Sequence, residues 1–290
     1  MVYLGHDAPR LRTACDVMDL FFFFDDSSDV ATSEEVEAMT EIMMDALHNP
    51  HKPRAEGEWV GGELTRQFWE LAIETASPGS QKRFLEYYDQ YARSVVREAQ
   101  IRNDDIPIAS VEEYFLLRRL TIGAKPAFAI IELDLDLPQE VVDHPVIREM
   151  EVLSVDMIIL SNDIVSYNKE QACGDAISNI ITIITVTHHT GVQDAMDWVE
   201  RHYHDCAARF LELYYHHVPK FHSYRVDADV ARYVDGLGNW VRANDRWNYE
   251  SERYLGKRGL EIIKDRWVTL LPKEQRDNKD IGRLINDALL

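Results

Sequence analysis

Apolar residues recur three and four positions apart through most of the 290-residue chain, which is the spacing of one face of an α-helix. The one alternating run, residues 133–137, is so short and so close to Pro138 that we interpret it as a turn. Proline, glycine and polar residues gather between the periodic segments, where helices are expected to end. The pattern predicts an all-α chain. The predicted helical segments are 11–29, 35–47, 64–76, 82–101, 111–131, 145–171, 175–189, 192–216, 229–255 and 259–271.

No internal repeat, low-complexity tract or composition shift divides the sequence. Hydrophobic residues make up 46% of the chain, which is enough to bury a sizeable core and argues against disorder. We therefore predict one all-α domain over residues 1–290. The charged stretch 272–290 is expected to form a C-terminal tail or a short docked helix.

The charge balance excludes some classes of function. Lysine and arginine total 31 and aspartate and glutamate total 51, so the formal net charge is −20. A general nucleic-acid binder or a protein that binds anionic membranes needs a basic surface, and this chain is acidic. No apolar run reaches the ~18 residues of a membrane span, and no signal peptide opens the sequence. We expect a cytoplasmic location, and three scattered cysteines favour a reducing compartment.

Two aspartates follow four consecutive phenylalanines, residues 21–24, near the start of the chain. Asp25 and Asp29 are four positions apart, so on a helix they share a face, where two carboxylates repel each other unless a cation lies between them. Such oxygen ligands suit Mg²⁺, which binds one or two carboxylates together with the phosphate oxygens of a substrate. The alternative is a solvated acidic helix end. The phenylalanines favour the metal site, because they predict a buried helix whose end opens on a cavity.

A second polar pattern lies in the predicted helix 145–171. Asn162, Ser166 and Glu170 are spaced four apart and offer an amide, a hydroxyl and a carboxylate oxygen on one face. Residues 155–160 before them are mostly apolar, so this helix is expected to be part of the core. The alternatives are a satisfied polar network in the core and a face turned to water.

The order of these two motifs resembles the aspartate-rich motif and the NSE motif of class I terpene synthases. Residues 144–180 are especially similar to microbial, above all fungal, sesquiterpene synthases. The resemblance implies the all-α helical bundle of class I terpene synthases. Members of that family usually have one or two more helices before the aspartate-rich motif. Because Asp25 stands so close to the start, we expect those first helices to be missing from this sequence.

Two further elements resemble the family. Arg119 and Gly123 are similar to its diphosphate-sensing arginine and its effector glycine at a helix break, whereas Arg118 is expected at the surface beside a carboxylate. The pair 253–254 resembles the late Arg-Tyr pair of the family, and Trp247 precedes it by six residues as the family pattern requires. From periodicity alone, Trp247 belongs to an ordinary core stripe. With the resemblance, it becomes a candidate cavity wall whose aromatic face stabilises a cation.

The resemblance implies a lyase that ionises and cyclises farnesyl diphosphate to a sesquiterpene hydrocarbon or alcohol and releases diphosphate. It also implies three bound Mg²⁺ ions. The expected metal ligands are Asp25, Asp29, Asn162, Ser166 and Glu170; the expected diphosphate-binding residues are Arg119, Lys169, Arg253 and Tyr254; the other expected catalytic residues are Gly123, Trp247 and Phe22.

Other functions stay open at this point. An acyclic synthase, a monoterpene or sesquiterpene alcohol synthase of the same family, and a truncated helical relative without activity all fit the same pattern. A chain-elongating prenyl transferase fits less well, because it would have a second aspartate-rich motif where this chain has residues 162–170. The sequence does not distinguish a monomer from a homodimer, and it does not identify the product.

Overall fold

The computed structural model describes residues 7–104 and 106–273, and no strand occurs within these ranges. The prediction of an all-α chain is confirmed. Residues 274–290, which hold most of the predicted tail, lie outside the described part. The α-helices of the described ranges are α1 Ala8–Ser28, α2 Ser33–His48, α3 Gly61–Ala72, α4 Pro78–Asn103, α5 Val111–Thr121, α6 Ala124–Ile131, α7 Gln139–Val142, α8 Pro145–Cys173, α9 Ile180–Thr187, α10 Val192–His216, α11 Tyr224–Glu250, α12 Glu252–Leu255 and α13 Gly259–Asp265.

Several predicted segments are interrupted where the backbone leaves the helical region. The segment 111–131 divides at Gly123, whose φ of 70° is left-handed and favours glycine. The segment 229–255 divides at Ser251, which is extended and separates α11 from α12. The segment 175–189 begins with a short 3₁₀-helix at Ala176–Ser178 and is α-helical only from Ile180, where the side chain of Asn179 caps α9. These breaks matter because each lies beside the cavity described below.

Helix α8 lies in the middle of the bundle. It packs most extensively against α11 and α10, and it also contacts α5, α9 and α12. Its segment 155–160 is buried throughout, as its apolar sequence predicts. A helix covered on several sides holds its side chains in fixed directions, so α8 is a rigid platform for the polar residues that follow.

The four phenylalanines of α1 have different partners. Phe21 and Phe24 are buried and meet the ring of Tyr91 on α4 edge-on, with centroids 5.2 and 6.0 Å away. Phe23 stacks on Trp59 at 5.5 Å, between α2 and α3. Phe22 is half-buried and points toward α11. Three of the rings thus anchor α1, and its last turn is held in a fixed position.

The chain after α13 runs without regular structure along the end of α8. Asn168 donates from Nδ2 to the carbonyl of Thr269 at 3.2 Å and accepts from the backbone N–H of Leu271 at 2.7 Å. Gln171 donates to the carbonyl of Leu271 at 2.8 Å. Two amide side chains therefore hold this segment, which ends the described part of the chain, against α8.

A buried ion pair joins α4 to the turn after α6. Arg83 is 3% exposed and Glu132 is 1% exposed, so neither charge is solvated. The guanidinium donates to Glu132 through Nε at 2.9 Å and through Nη2, and it also donates to Gln139 at 3.2 Å. These bonds compensate the arginine charge within the core.

Glu132→Leu is expected to lower the free energy of unfolding by about 3–5 kcal/mol, because it leaves the Arg83 charge buried without its partner. Urea unfolding measures this. Glu250→Leu, which breaks an exposed pair with Arg246, is the control and should cost less than about 1 kcal/mol. Adding Arg83→Met to Glu132→Leu should recover much of the loss. Equal effects of the buried and exposed substitutions would contradict this account.

No helix in the described part of the chain combines the length and the apolar character that crossing a membrane requires.

Candidate active site

A cavity of about 620 Å³ opens between α1, α4, α8 and α11. Its walls combine aromatic and aliphatic side chains with a concentration of charged and polar groups. The apolar lining includes Leu11, Met18, Phe21, Phe22, Tyr91, Ile122, Ile158, Trp240 and Trp247; the polar lining includes Asp25, Asp29, Glu98, Arg118, Asn162, Ser166, Lys169, Glu170, Arg253 and Tyr254.

All five residues predicted as metal ligands line this one cavity, although the two groups are at least 133 positions apart in the sequence. Asp25 is in the last turn of α1, and Asp29 is the first residue after the end of that helix. Asn162, Ser166 and Glu170 lie on one face of α8, as their spacing predicts. The structure thus brings the two motifs together at one cavity.

Asp25 at the end of α1 and Asp29 just after α1 both line the cavity and are both exposed. Asp25 keeps 52% of its side-chain surface open to solvent. Burial raises the pKa of Asp25, and Arg253 and Arg118 oppose that rise. Burial and the neighbouring Asp25 raise the pKa of Asp29 to about 7. Negative charge is therefore costly here unless a cation compensates it.

Arg102 on α4 supports the end of α1. It donates to the carbonyl of Ser28 at 2.7 Å and to the carbonyl of Ala31 at 3.0 Å. The last carbonyls of a helix carry partial negative charge, so this cation compensates the helix end beside Asp25 and Asp29. The sequence analysis missed Arg102, because nothing near it in the sequence indicates a partner 74 positions away.

Arg253 joins the late Arg-Tyr pair to the aspartates. Its Nη2 donates to Asp25 at 2.8 Å and to Asp26 at 3.1 Å, and its guanidinium lies 4.9 Å from the ring centroid of Phe22. The predicted diphosphate-binding arginine is thus at the cavity. Asp26, to which the sequence analysis gave no role, is its second partner.

Asn162 is hydrogen-bonded to two other cavity residues. It accepts a hydrogen bond from Arg118 Nη2 at 3.1 Å and donates to the hydroxyl of Tyr254 at 3.0 Å. One turn further along α8, Ser166 is 1% exposed. Burial, and after it the charge of Asp163, raises the pKa of Glu170 to about 7. The second motif therefore also presents oxygen atoms where ionisation is unfavourable without a cation.

Arg119, which the resemblance predicts to bind diphosphate, is not among the residues that line the cavity. Both oxygens of Asp156 accept from Arg119, at 2.7 and 2.8 Å, and Arg119 also lies over the ring of Phe115. This face of α5 packs toward α8 and α10, away from the cavity. Arg118, expected at the surface, lines the cavity instead, and its guanidinium lies 3.7 Å from a carboxylate oxygen of Asp163.

The aromatic residues predicted for the cavity wall do line it. The rings of Phe22 and Trp247 stack with centroids 5.1 Å apart and planes 19° apart, and the ring of Tyr254 meets Trp247 edge-on at 6.1 Å. Trp247 is 36% exposed, so it is a wall residue rather than a core residue. Gly123 also lines the cavity, where a β-carbon would lie 3.4 Å from the ring of Tyr91.

Glu98 on α4 is another cavity residue that the sequence analysis missed. It lies near Asp25 and Arg118, and burial raises its pKa. A single glutamate in a long charged helix has no neighbouring motif that would distinguish it. Lys169, which was predicted, lines the cavity and stays exposed.

The chemistry of the donors fits a hard divalent cation. Carboxylate, amide and hydroxyl oxygens, all present at the cavity, are the ligands such ions prefer. Within the described ranges, one group of histidine, cysteine and acidic side chains is close enough to chelate an ion, namely Asp156, His202 and Cys206. That group does not line the cavity, and both of its carboxylate oxygens already accept from Arg119.

Comparison with known families and proteins agrees with this geometry. Residues 16–209 match the family model described as terpene synthase family 2, C-terminal metal binding. This range includes all five predicted ligands. Among similar proteins, Delta(6)-protoilludene synthase of Armillaria gallica is 53% identical over 267 residues, covering 92% of this chain and 76% of that protein. A Delta(6)-protoilludene synthase of Stereum hirsutum is 50% identical, covering 96% of this chain and 75% of that protein.

Two solved structures share the fold of this chain. Germacradien-4-ol synthase from Streptomyces citricolor superposes with a TM-score of 0.69 at 21% identity, over 86% of this chain and 81% of that one. The structure of α-eudesmol synthase gives a TM-score of 0.74 at 21% identity, over 86% and 82% of the two chains. The helical bundle is therefore the one seen in terpene synthases.

The raised pKa values of Asp29 and Glu170 predict a pH-dependent stability in the presence of a chelator. A carboxyl whose pKa is raised on folding contributes its full stability below its ordinary pKa and loses that contribution as the pH rises through the raised value. The free energy of unfolding should therefore fall as the pH rises from about 4 to about 7. Denaturant unfolding at several pH values measures it.

Glu170→Gln should flatten part of this dependence, because glutamine does not ionise. Glu37→Gln, at an exposed position of α2, is the matched control and should leave the slope unchanged. The same slope in the wild type and in Glu170→Gln would show that Glu170 does not titrate in this range.

Proposed function

This chain belongs to the terpene synthase family, and on that premise we propose that it ionises and cyclises farnesyl diphosphate to a sesquiterpene in a Mg²⁺-dependent reaction that releases diphosphate. The observation that carries the proposal is the meeting of both predicted motifs, two arginines and an aromatic wall at one cavity. The names of the similar proteins make Delta(6)-protoilludene the first product to look for. We further propose that the chain acts as one catalytic domain.

Two groups of residues would hold the metal. Asp25 and Asp29 would bind on the α1 side, and Asn162, Ser166 and Glu170 on the α8 side; the family resemblance implies three ions in total. Bound Mg²⁺ would supply Lewis-acid stabilisation of the charge that develops on the leaving diphosphate. This accounts for an acidic protein that handles an anionic substrate, because the carboxylates bind cations and the cations attract the diphosphate.

The cavity arginines would bind the diphosphate directly. Arg118 and Arg253 offer planar sets of N–H donors, which suit phosphate oxygens and stay charged when water is excluded. The hydroxyl of Tyr254 and the ammonium of Lys169 line the same cavity and can donate to the same anion. We assign no contact with substrate to Arg119, because Asp156 already binds it.

The apolar wall would act on the carbocation left after the carbon–oxygen bond breaks. The stacked rings of Phe22 and Trp247 present π-faces, which attract positive charge by up to about 2 kcal/mol in a dry site. The surrounding aliphatic side chains limit access of water, which would otherwise capture the cation early. The reaction would end with loss of a proton or capture of one water molecule.

The proposal is tested by incubating the purified protein with farnesyl diphosphate, with Mg²⁺ or with a chelator, and measuring diphosphate release and volatile products by gas chromatography. We expect Mg²⁺-dependent release and a cyclic sesquiterpene. Geranyl and geranylgeranyl diphosphate tested in parallel determine the chain length. Acyclic alcohols alone would favour the acyclic synthase, and no release from any of the three substrates would overturn the proposal.

The two adjacent arginines of α5 provide a matched pair of variants. Arg118→Gln should lower the rate of diphosphate release about 100-fold or more, as the loss of a donor to developing negative charge typically does. Arg119→Gln should keep the rate within a few-fold but lower the stability by about 1–3 kcal/mol, because Asp156 is 4% exposed and loses its partner. Steady-state kinetics and thermal unfolding measure the two effects. The reverse pattern would restore Arg119 as the diphosphate-binding residue.

Trp247→Leu should change the products more than the rate of ionisation. Leucine fills much of the volume but has no π-face, so we expect more acyclic or early-quenched products, with diphosphate release reduced less than the cyclic product. Trp247→Phe, which keeps an aromatic face, is the control. Product profiling beside a melting curve checks this. An unaltered profile with a lowered melting temperature would make Trp247 a packing residue only.

A further inference from the structure

A fully buried amide lies directly behind the second motif. Asn179 precedes α9, has no exposed surface, and is 9 positions beyond Glu170 in the sequence. Its Oδ1 accepts the backbone N–H of Ile181 at 2.9 Å, which caps the start of α9. This end of the side chain has an ordinary structural role.

The other end of the same side chain faces α8. Nδ2 lies 2.9 Å from a carboxylate oxygen of Glu170, 3.0 Å from the carbonyl of Asp163 and 3.4 Å from the hydroxyl of Ser166. Two of these three acceptors belong to residues expected to bind metal. An amide nitrogen has two hydrogens to donate, and both are directed at this face of α8.

The position of Glu170 makes such a donor important. Glu170 is in the last turn of α8, where the helix carbonyls carry partial negative charge, and its side chain has three rotatable bonds. A carboxylate there is disfavoured by the helix end and by Asp163. The Asn179 amide offsets this repulsion and fixes one carboxylate oxygen, so the other oxygen can stay directed at the cavity.

We propose that Asn179 is a positioning residue for the cation-binding face of α8, which holds the Glu170 carboxylate and the Ser166 hydroxyl in place from the side opposite the cavity. It does not line the cavity, so it acts through these two residues. The inference rests on the proposed function, since it gives a role to a residue behind that same site. Partners of this kind typically alter metal affinity 10- to 100-fold when they are removed.

Two substitutions separate the donor from the cap. Asn179→Asp keeps an oxygen that can cap α9 but replaces the donor with a second carboxylate beside Glu170. Asn179→Ser keeps a capping oxygen without adding charge, and its side chain is too short to reach Glu170. Ser77→Ala removes the cap of α4 and is the matched control, because it weakens a helix start that does not line the cavity.

The decisive measurement is the rise in melting temperature that Mg²⁺ with inorganic diphosphate produces, which needs no catalysis. The wild type and Ser77→Ala should show the full rise at the same Mg²⁺ concentration. Asn179→Ser should need about 10-fold more Mg²⁺, and Asn179→Asp about 100-fold more. The Mg²⁺ concentration for half-maximal diphosphate release should shift by the same factors.

A double variant tests the contact itself. Combining Asn179→Asp with Glu170→Gln reverses the direction of the hydrogen bond, so it should recover the melting temperature lost in Asn179→Asp while leaving Mg²⁺ binding weak. If Asn179→Asp does not fold, Asn179→Ser, which adds no charge, is compared with the wild type for the Mg²⁺ concentration that it needs.

Two failures can be told apart. If the wild type responds to Mg²⁺ with diphosphate and both Asn179 variants respond at the same concentrations, Asn179 is only a helix cap and the inference is overturned. If the wild type neither responds nor releases diphosphate from any isoprenoid diphosphate, the proposed function fails and the positioning role fails with it.

Discussion

The concentration of carboxylates around one cavity is the constraint on which the rest of this structure depends. Burial raises the pKa of Asp25, Asp29, Glu98 and Glu170, so each would resist ionisation without compensating charge. Arg118, bonded to Asn162, and Arg253, bonded to Asp25, supply part of that charge. The negative charge that the arginines leave uncompensated makes the site suited to cations. Bound cations in turn make it suited to an anionic substrate.

The packing of the bundle holds α1 and α8, the two helices that carry the predicted metal ligands, in fixed positions. Helix α8 is covered by α10 and α11, so its polar face cannot rotate away from the cavity. Helix α1 is held through phenylalanine rings and by Arg102 at its last carbonyls. Rigid packing therefore prevents the movement by which like charges would otherwise separate, and the apolar core stabilises an arrangement that is electrostatically unfavourable by itself.

The sequence predicted what depends on local spacing. Helical periodicity identified nearly every long helix, and a four-residue spacing placed Asn162, Ser166 and Glu170 on one face, because both follow from helix geometry. The sequence did not indicate which of Arg118 and Arg119 lines the cavity. Adjacent helix residues point about 100° apart, and only the packing of α5 determines which one faces the cavity. The role of Arg102 could not be predicted from the sequence either, because its carbonyl partners lie more than 70 positions away along the chain.

The different partners of the four phenylalanines determine which of these positions can change among related chains. Phe21 and Phe24 pack on Tyr91 and Phe23 packs on Trp59, whereas Phe22 stacks on Trp247 of α11 at the cavity. Phe21 also lines the cavity, but its ring is buried. A change at position 22 can alter the cavity contour without loosening α1, so this is where related chains can diverge in product at little cost in folding. An inserted or deleted residue in the run would rotate all four rings at once. We therefore expect the run 21–24 to accept substitutions at position 22 but not insertions or deletions.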